Sequence, residues 1–237
     1  MDEQERRMAE IRSNFSRSSG EYDRWIRKVI PRYDEMLDVL VSCVQCPEGR
    51  RLRVIDIGCG TGTLSAKLLA SHPAVELTCL DMTEDMLDMA RERLKGHECV
   101  RYLVHNLYDF EYDGPYDLII SSLALHHMVT DEDKRDQYDR IFRALAPGGS
   151  FFNADVVLAS DDSMQELYME KWAEFMYNGL PREEVEGSVL PRYYKEDSPA
   201  RLTDHLGWMR ETGFIGVDVI WKYYNLTVYG GRKGLVD

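Results

Sequence analysis

Three glycines at alternate positions mark a segment that could form the floor of a nucleotide-type site. Gly58, Gly60 and Gly62 follow the short apolar run 53–57, and helical periodicity resumes at Leu64. Glycine lets the backbone turn sharply and lets a ligand lie directly against it. The helix that follows offers unpaired N–H groups at its N-terminus. This order of strand, turn and helix predicts a site for a nucleoside-containing ligand.

Two acidic residues refine that prediction. Asp81 ends the next apolar segment, about twenty positions after Gly62, which is the spacing of a carboxylate that binds a ribose diol. Thr63, however, takes the place of the third glycine of the dinucleotide fingerprint. Asp56, at the end of the strand before the turn, would repel a pyrophosphate but would hold a cationic ligand, directly or through water. The pattern therefore disfavours NAD, and an NAD-dependent oxidoreductase stays as an alternative.

Two histidines and an acid stand where proton chemistry is expected. His126 and His127 lie just past the fourth predicted strand, and Asp155 ends the fifth. Either histidine could accept a proton near neutral pH, or could simply pack or hydrogen-bond a loop. Asp155 either orients a substrate or pairs with a cationic group, or it caps the helix that follows. A metal ion held by His126, Asp155 and a later acid is a weaker alternative, and we predict no metal site because no paired-ligand motif is present.

The elements that must position these residues are short apolar strands that alternate with helices. Strands are predicted at 53–57, 76–80, 100–104, 116–121 and 150–154, and helices at 64–70, 84–94 and 134–145. Such alternation is typical of an α/β fold with a parallel sheet covered on both faces. The last two strands, 215–223 and 226–230, are separated by a short turn and predict an antiparallel hairpin.

The segment Asp56-Ile-Gly58-Cys59-Gly60-Thr-Gly62 resembles motif I of the class I S-adenosylmethionine-dependent methyltransferases. Leu80-Asp81-Met82, His105-Asn106-Leu107, 117–127 and 145–149 follow in the order of that family's later motifs. The resemblance implies a Rossmann-like, doubly wound, seven-stranded sheet with a reversed last strand, and S-adenosylmethionine as cofactor. In it Asp81 binds the ribose hydroxyls, Met82 lies against adenine and Asn106 faces the adenine amine. The cofactor-binding residues that it implies in this part of the chain are Asp56, Gly58, Cys59, Gly60, Gly62, Asp81, Met82, Asn106, Leu107 and Ser122.

The N-terminal segment resembles the lid of one subgroup, which includes the carboxy-S-adenosylmethionine synthases. The resemblance rests on residues 15–23 and on Ile30-Pro31-Arg32-Tyr33. It adds Tyr22 and Tyr33 to the cofactor-binding residues, and Arg192 is the nearest match to an arginine that serves the synthase. The glycine turn has the ordinary methyltransferase form, which favours plain methyl transfer over the transfer of a carboxylated group.

The chain is expected to divide into an N-terminal helical lid at 1–46 and a methyltransferase domain at 47–237. Pro31 should kink or divide the helical part. Residues 155–206 break the alternation of strands and helices and are acidic and aromatic. We expect them to form a helical insert over the acceptor pocket, with most aromatic side chains in its core.

Composition limits the class of partner and the compartment. The 237 residues include 42 acidic and 29 basic side chains, for a net charge of −13, which disfavours a nucleic-acid partner. No apolar run approaches the roughly 20 residues that span a bilayer, and the charged first residues do not resemble a secretory signal. Five cysteines, with a lone Cys43-x-x-Cys46 pair that we interpret as structural, indicate reduced thiols in the cytoplasm.

The sequence therefore predicts a cytoplasmic methyltransferase that uses S-adenosylmethionine on a small-molecule acceptor, with His126, His127 and Asp155 as catalytic candidates. A homodimer is a further hypothesis. Two alternatives remain: a carboxy-S-adenosylmethionine synthase, and a module that binds the cofactor without turnover.

Overall fold

The fold is built around one mixed sheet of seven strands. The computed structural model describes residues 22–47 and 49–235. Its strands are β1 (Arg53–Ile57), β2 (Glu76–Asp81), β3 (Val100–Val104), β4 (Tyr116–Ser122), β5 (Leu145–Val156), β6 (Ile215–Tyr223) and β7 (Leu226–Arg232). They lie in the order β3-β2-β1-β4-β5-β7-β6. The first five strands are parallel, and β7 runs antiparallel to both β5 and β6, which confirms the predicted fold with its reversed last strand.

Helices cover both faces of this sheet. They are α1 (Tyr22–Val29), α2 (Tyr33–Ser42), α3 (Thr63–Ser71), α4 (Glu84–Arg93), α5 (Asp131–Ala144), α6 (Asp162–Met176), α7 (Arg182–Glu184), α8 (Leu190–Glu196) and α9 (Leu202–Thr212), with a 3₁₀ turn at Leu125–His127 and a π-helical turn at Val185–Val189. Neighbouring strand residues point to opposite faces, so Val54 and Ile120 join one hydrophobic core while Ile55 and Ile119 join the other. The strands are therefore apolar on both sides, as a doubly covered sheet requires.

The described part of the N-terminal segment packs into the hydrophobic core that contains Val54 and Ile120. Met36, Leu37 and Leu40 of α2 are fully buried and belong to the same cluster as the sheet residues. Pro31 lies in the turn between α1 and α2, which confirms the predicted division into two helices. The helical pattern expected at 1–21 lies outside the described residues.

The insert is the segment between β5 and α9, and its two ends lie next to each other. The Leu158 N–H donates to Ala200 O at 2.8 Å, and Leu158 pairs with Arg201 in an isolated parallel bridge. Between these ends, Trp172 of α6 is buried, and its indole N–H donates to Val29 O of α1 at 2.7 Å. The insert and the first helix therefore form one packed unit above the sheet.

Several predicted boundaries differ from the structure. The helix expected from Lys134 begins at Asp131, because Thr130 and Asp133 form a reciprocal capping box that accommodates three further residues. The strand expected at Ser150 begins at Leu145, since Pro147-Gly148-Gly149 runs through a register shift between β4 and β5 rather than through a loop. Thr83 caps α4 as predicted, with its hydroxyl accepting from Met86 N. Among the described residues, no helix is long and apolar enough to cross a membrane.

Trp172→Phe is expected to lower the free energy of unfolding by about 1–3 kcal/mol, because it leaves the Val29 carbonyl buried without its donor. Trp221→Phe is the matched control, since the Trp221 indole N–H donates to Glu35 at an exposed position. That substitution should cost less than about 0.5 kcal/mol. Urea denaturation followed by circular dichroism measures both values, and equal losses would contradict the proposed anchoring of the insert.

Candidate active site

The turn after β1 is fixed to β2 by its own backbone. The N–H groups of Gly58 and Cys59 both donate to Leu80 O, at 2.8 and 2.9 Å. Gly58 and Gly60 have φ angles of 70° and 53°, a region that glycine adopts without strain. A Cβ at Gly58 would meet Ala124 Cβ at 2.3 Å, whereas one at Gly60 would meet nothing within 4 Å. Gly58 is therefore required by packing, and Gly60 borders open space.

Asp81 is held in place at the end of β2. One carboxylate oxygen accepts from Gly60 N at 2.9 Å, and the other accepts from Thr83 N at 2.9 Å and from the Thr83 hydroxyl at 3.1 Å. Burial raises the pKa of Asp81, and the N–H groups of Thr83 and Gly60 oppose that rise. The carboxylate thus has a fixed direction at the floor of the site, which suits an acceptor of ribose hydroxyl hydrogen bonds.

A cleft of about 890 Å³ lies at the carboxyl ends of the strands, beside the point where the strand order reverses between β1 and β4. This is where ligands bind in open α/β sheets. Ten of the twelve predicted cofactor-binding residues line it: Tyr22, Tyr33, Gly58, Cys59, Gly60, Asp81, Met82, Asn106, Leu107 and Ser122. We call it the cofactor cavity.

Asp56 and Gly62, the other two predicted residues, do not line this cavity. A Cβ at Gly62 would lie 3.1 Å from Ala90 Cβ, so this glycine lets α3 approach α4 closely. Asp56 is fully buried in β1, and its Oδ2 accepts from Ser65 Oγ at 2.6 Å. Its Oδ1 has no hydrogen-bond partner among the described residues. Burial raises the pKa of Asp56 to about 7.

The sequence predictions missed part of the lining. The additional residues are Thr61, Thr63, Leu64, Leu80, Met86, His105, Tyr108, Leu123, Ala124 and Met128, and His127, which the sequence predicts as a catalytic residue, lines the cavity as well. Most of them stand one to six positions past a strand end or in the glycine turn, so the rule that ligands bind at the carboxyl edge could have indicated them.

An ion pair ties α1 to the glycine turn. Asp23 Oδ1 accepts from the Thr61 hydroxyl at 2.7 Å, and the Arg93 guanidinium of α4 pairs with the Asp23 carboxylate. Burial opposes ionisation of Asp23, but these contacts lower its pKa. The described start of the predicted lid is thus fastened beside the cofactor cavity.

A second cavity of about 620 Å³ lies between α1 and the insert. It shares Tyr22, Leu123 and His127 with the cofactor cavity, so these side chains form the border between the two. The rest of its wall is apolar or aromatic except at one end: Trp25, Ile26, Val29, Ile30, Val156, Trp172, Val189 and Tyr193 on the apolar side, and His126, Arg192, Glu196 and Asp197 on the polar side. We call it the acceptor cavity.

The three predicted catalytic residues meet near that polar end. His126 Nδ1 lies 2.5 Å from Asp155 Oδ1, and its Nε2 lies 3.7 Å from Asp197 Oδ1. Burial lowers the pKa of His126, but Asp155 and Asp197 outweigh that effect and raise it to about 9. At neutral pH the free protein therefore holds His126 as a cation between two carboxylates, which does not suit a general base.

His127 and Asp155 take different positions. His127 borders both cavities, and its Nδ1 lies 3.1 Å from Asp197 Oδ1. Asp155 lines neither cavity, because it is buried behind His126 and also accepts from the His126 N–H at 3.2 Å. Asp155 is therefore a positioning residue and caps no helix, while Asp161 caps α6.

No motif in the sequence singles out Asp197 as a site residue. It follows α8 in the insert, and the next N–H, that of Ser198, donates to His126 O at 2.8 Å. Arg192, the predicted match to the synthase arginine, lines the acceptor cavity and donates to Glu196 at 2.9 Å. It does not line the cofactor cavity.

Comparisons of the sequence with known proteins identify methyltransferases as its relatives. A family model described as a methyltransferase domain matches residues 54–149. An uncharacterized methyltransferase of Staphylococcus carnosus (strain TM300) is 32% identical, over 65% of this chain and 71% of that protein. A carboxy-S-adenosyl-L-methionine synthase of Chromohalobacter salexigens is 27% identical, over 84% of this chain and 75% of that protein.

Solved structures show the same fold. The S-adenosylmethionine-dependent methyltransferase SibL, in its apo form, superposes with a TM-score of 0.61 at 22% identity. The match covers 84% of this chain, which spans 55% of the length of that solved chain.

The cofactor cavity fits S-adenosylmethionine in three respects. The fixed Asp81 carboxylate can accept hydrogen bonds from ribose hydroxyls, and Gly60 leaves room for a ligand against the backbone. The third is Asp56, which does not line the cavity but lies close enough to Asp81 for their charges to interact. A negative charge there would attract the cationic part of this cofactor, because Coulomb attraction is strong where water is excluded.

Gly60→Ala is expected to weaken S-adenosylmethionine binding at least tenfold, since the new Cβ enters the cavity and strains a left-handed turn by roughly 1–2 kcal/mol. Isothermal titration calorimetry measures the affinity. Gly58→Ala is the comparison, and it should mainly lower the thermal midpoint because its Cβ overlaps Ala124. Unchanged cofactor affinity in Gly60→Ala would contradict the assignment of this cavity.

Cofactor affinity is expected to rise with pH and to level off above about pH 7. Asp56, with a pKa of about 7, is neutral at lower pH and cannot then attract a cation. Below that value the affinity should change by up to about tenfold per pH unit. Calorimetry between pH 5.5 and 8.5 tests this, with Asp56→Asn as the control that should lose the dependence. The same pH profile in the variant would remove Asp56 from cofactor binding.

Proposed function

Because this chain belongs to the class I S-adenosylmethionine-dependent methyltransferases, we propose that it methylates a small acceptor with an apolar, ring-containing body and a polar reactive end. The observation that carries this proposal is the shared border of the two cavities at Tyr22, Leu123 and His127. These three side chains contact both cavities, so the two spaces adjoin at this border. A methyl group presented at this border lies within reach of an acceptor in the second cavity.

The residues that line the cofactor cavity bind different parts of the cofactor. Asp81 holds the ribose, Gly60 leaves the backbone open to the ligand, and Met82 and Asn106 contact the adenine end. Tyr22 and Tyr33 cover the cavity from the N-terminal helices. The bound cofactor supplies a methyl group on a positively charged sulfur. The sulfur leaves readily as a neutral thioether when the methyl group is transferred.

The acceptor cavity supports an acceptor of defined character. Trp172 packs edge-to-face on Tyr193 with ring centroids 5.0 Å apart, and Trp25 and Val189 continue the apolar wall. Such surfaces favour a planar apolar group. The polar end, with His126, His127 and Asp197, then holds the heteroatom that receives the methyl group.

The chain's contribution to the transfer is alignment and exclusion of water. The acceptor heteroatom forms a bond to the methyl carbon while the carbon–sulfur bond breaks, and the electron pair of that bond stays on sulfur. A hydroxyl, thiol or amine acceptor gives up its proton to solvent water at the polar end of the cavity. His127, which borders both cavities, is the proposed catalytic residue, and Asp155 positions its neighbour His126.

Two features support the finer parts of the proposal. All five cysteines are free thiols in the structure, which supports a reducing compartment such as the cytoplasm. The net charge of −13 supports a small molecule over a nucleic acid as the acceptor. A homodimer stays a prediction.

The synthase is the second candidate, because the Chromohalobacter relative aligns with 84% of this chain. Against it, Arg192 pairs with Glu196 and does not line the cofactor cavity. Mass analysis of the cofactor after incubation with prephenate distinguishes the two. A carboxylated cofactor would establish the synthase, and release of S-adenosylhomocysteine with a methylated acceptor would establish methyl transfer. Cofactor binding without either product, over a broad panel of phenols, thiols and amines, would indicate the silent module.

Tyr193→Ala is expected to raise the acceptor KM about tenfold or more, because it removes a buried aromatic wall of the acceptor cavity. The affinity for S-adenosylmethionine should stay within about twofold, since Tyr193 does not line the cofactor cavity. Tyr194→Ala is the matched control on the same helix, where the side chain is 68% exposed and should be neutral. Steady-state assays of S-adenosylhomocysteine release measure both, and an equal effect of the two substitutions would contradict the location of the acceptor.

A further inference from the structure

Two imidazoles and a carboxylate converge at the polar end of the acceptor cavity. The donor atoms of His126, His127 and Asp197 all lie within 4.8 Å of one another, the one such cluster among the described residues. Their side chains are 7%, 14% and 16% exposed, so the cluster is sheltered from bulk water. We propose that these three side chains bind a divalent zinc ion that keeps a coordination position open to the acceptor cavity.

The spacing of the cluster suits zinc. Bonds of about 2.0–2.1 Å in a tetrahedral site place neighbouring ligand atoms about 3.3 Å apart. Asp197 Oδ1 lies 3.7 Å from His126 Nε2 and 3.1 Å from His127 Nδ1, on either side of that value. All three donor atoms lie within 4.8 Å of one another, so the two imidazole nitrogens need to approach each other by at most about 1.5 Å to complete three corners of a tetrahedron. Three protein ligands with an open fourth position are typical of catalytic zinc sites.

Asp155 adds a second, independent observation. A histidine that binds a metal commonly donates its other ring N–H to a carboxylate, which fixes the ring and raises its basicity. His126 Nδ1 lies 2.5 Å from Asp155 Oδ1, so Nε2 is the nitrogen that faces the cluster. Asp155 is itself fixed, since it accepts from Val156 N at 2.9 Å and from the Asn153 amide at 3.2 Å. Asp155 therefore already holds the His126 ring in the orientation that a metal ligand needs.

The choice of ion follows from the donor set. Magnesium and calcium prefer oxygen ligands throughout, whereas imidazole nitrogen suits zinc and its transition-metal neighbours. All three ligands also line the acceptor cavity, which gives the open position direct access to an acceptor heteroatom. Zinc binding itself needs no cofactor, so it does not depend on the proposed function.

The test is metal binding by chelator-treated, full-length protein in the absence of S-adenosylmethionine. Wild type is expected to bind one Zn²⁺ per chain by calorimetry, and one Co²⁺ with the visible absorption bands of a tetrahedral site. Asp197→Asn and His127→Gln should each lower the Zn²⁺ affinity at least a hundredfold, and Asp155→Asn should lower it by 10- to 100-fold. Circular dichroism spectra and thermal midpoints show that each variant remains folded.

Two controls address adventitious binding. His97→Gln removes an exposed histidine, and the double variant Cys43→Ser, Cys46→Ser removes the thiol pair. Both should keep wild-type stoichiometry and affinity. The proposal is overturned if wild type binds no ion, if Asp197→Asn and His127→Gln bind as wild type does, or if the cysteine variant alone loses the metal. Failure of the methyltransferase assignment would show instead as absent cofactor binding with the metal titration intact.

Discussion

The hydrogen bond from the Gly60 N–H to the Asp81 carboxylate is the contact on which the cofactor site depends. It joins the turn after β1 to the end of β2, next to the bonds that Gly58 and Cys59 make to Leu80 O. Because these strands are parallel neighbours, their carboxyl ends meet at one edge of the sheet. The backbone of the glycine turn and the Asp81 carboxylate therefore lie side by side. Both are fixed before any ligand binds, which reduces the entropy lost on binding.

The second site is assembled from segments that are distant in the chain. α1 and the insert meet through the bond from the Trp172 indole to Val29 O, and the enclosed space becomes the acceptor cavity. Its polar end combines the 3₁₀ turn after β4 with Asp197 of the insert, which the Ser198 N–H holds against His126. The reactive groups lie where the sheet edge meets the insert, and the border residue His127 belongs to both cavities.

Much of the cofactor site could be predicted from the sequence because its signals are local. The glycine turn, Asp81 and Asn106 each follow a strand within a short, recognisable segment, and the structure brings them to one cavity. Gly62 does not line this cavity and packs against α4 instead, and a glycine that permits helix packing looks the same in a sequence as one that borders a ligand. Asp197 could not be selected, since its contact with His126 depends on how forty residues of insert fold back on the sheet. The predicted start of α5 at Lys134 is late because three acidic residues precede it, and the capping box with Thr130 makes these residues helical.

The closed base of the insert has a consequence for how such proteins diversify. Leu158 and Arg201 are paired, so the segment leaves the sheet and returns to it at almost the same place. A change in its length or composition need not alter the register of any strand, and insertions between such anchored ends cost little loop entropy. The insert's share of the acceptor cavity wall can thus change as one continuous segment, while the strands and the cofactor cavity keep their arrangement.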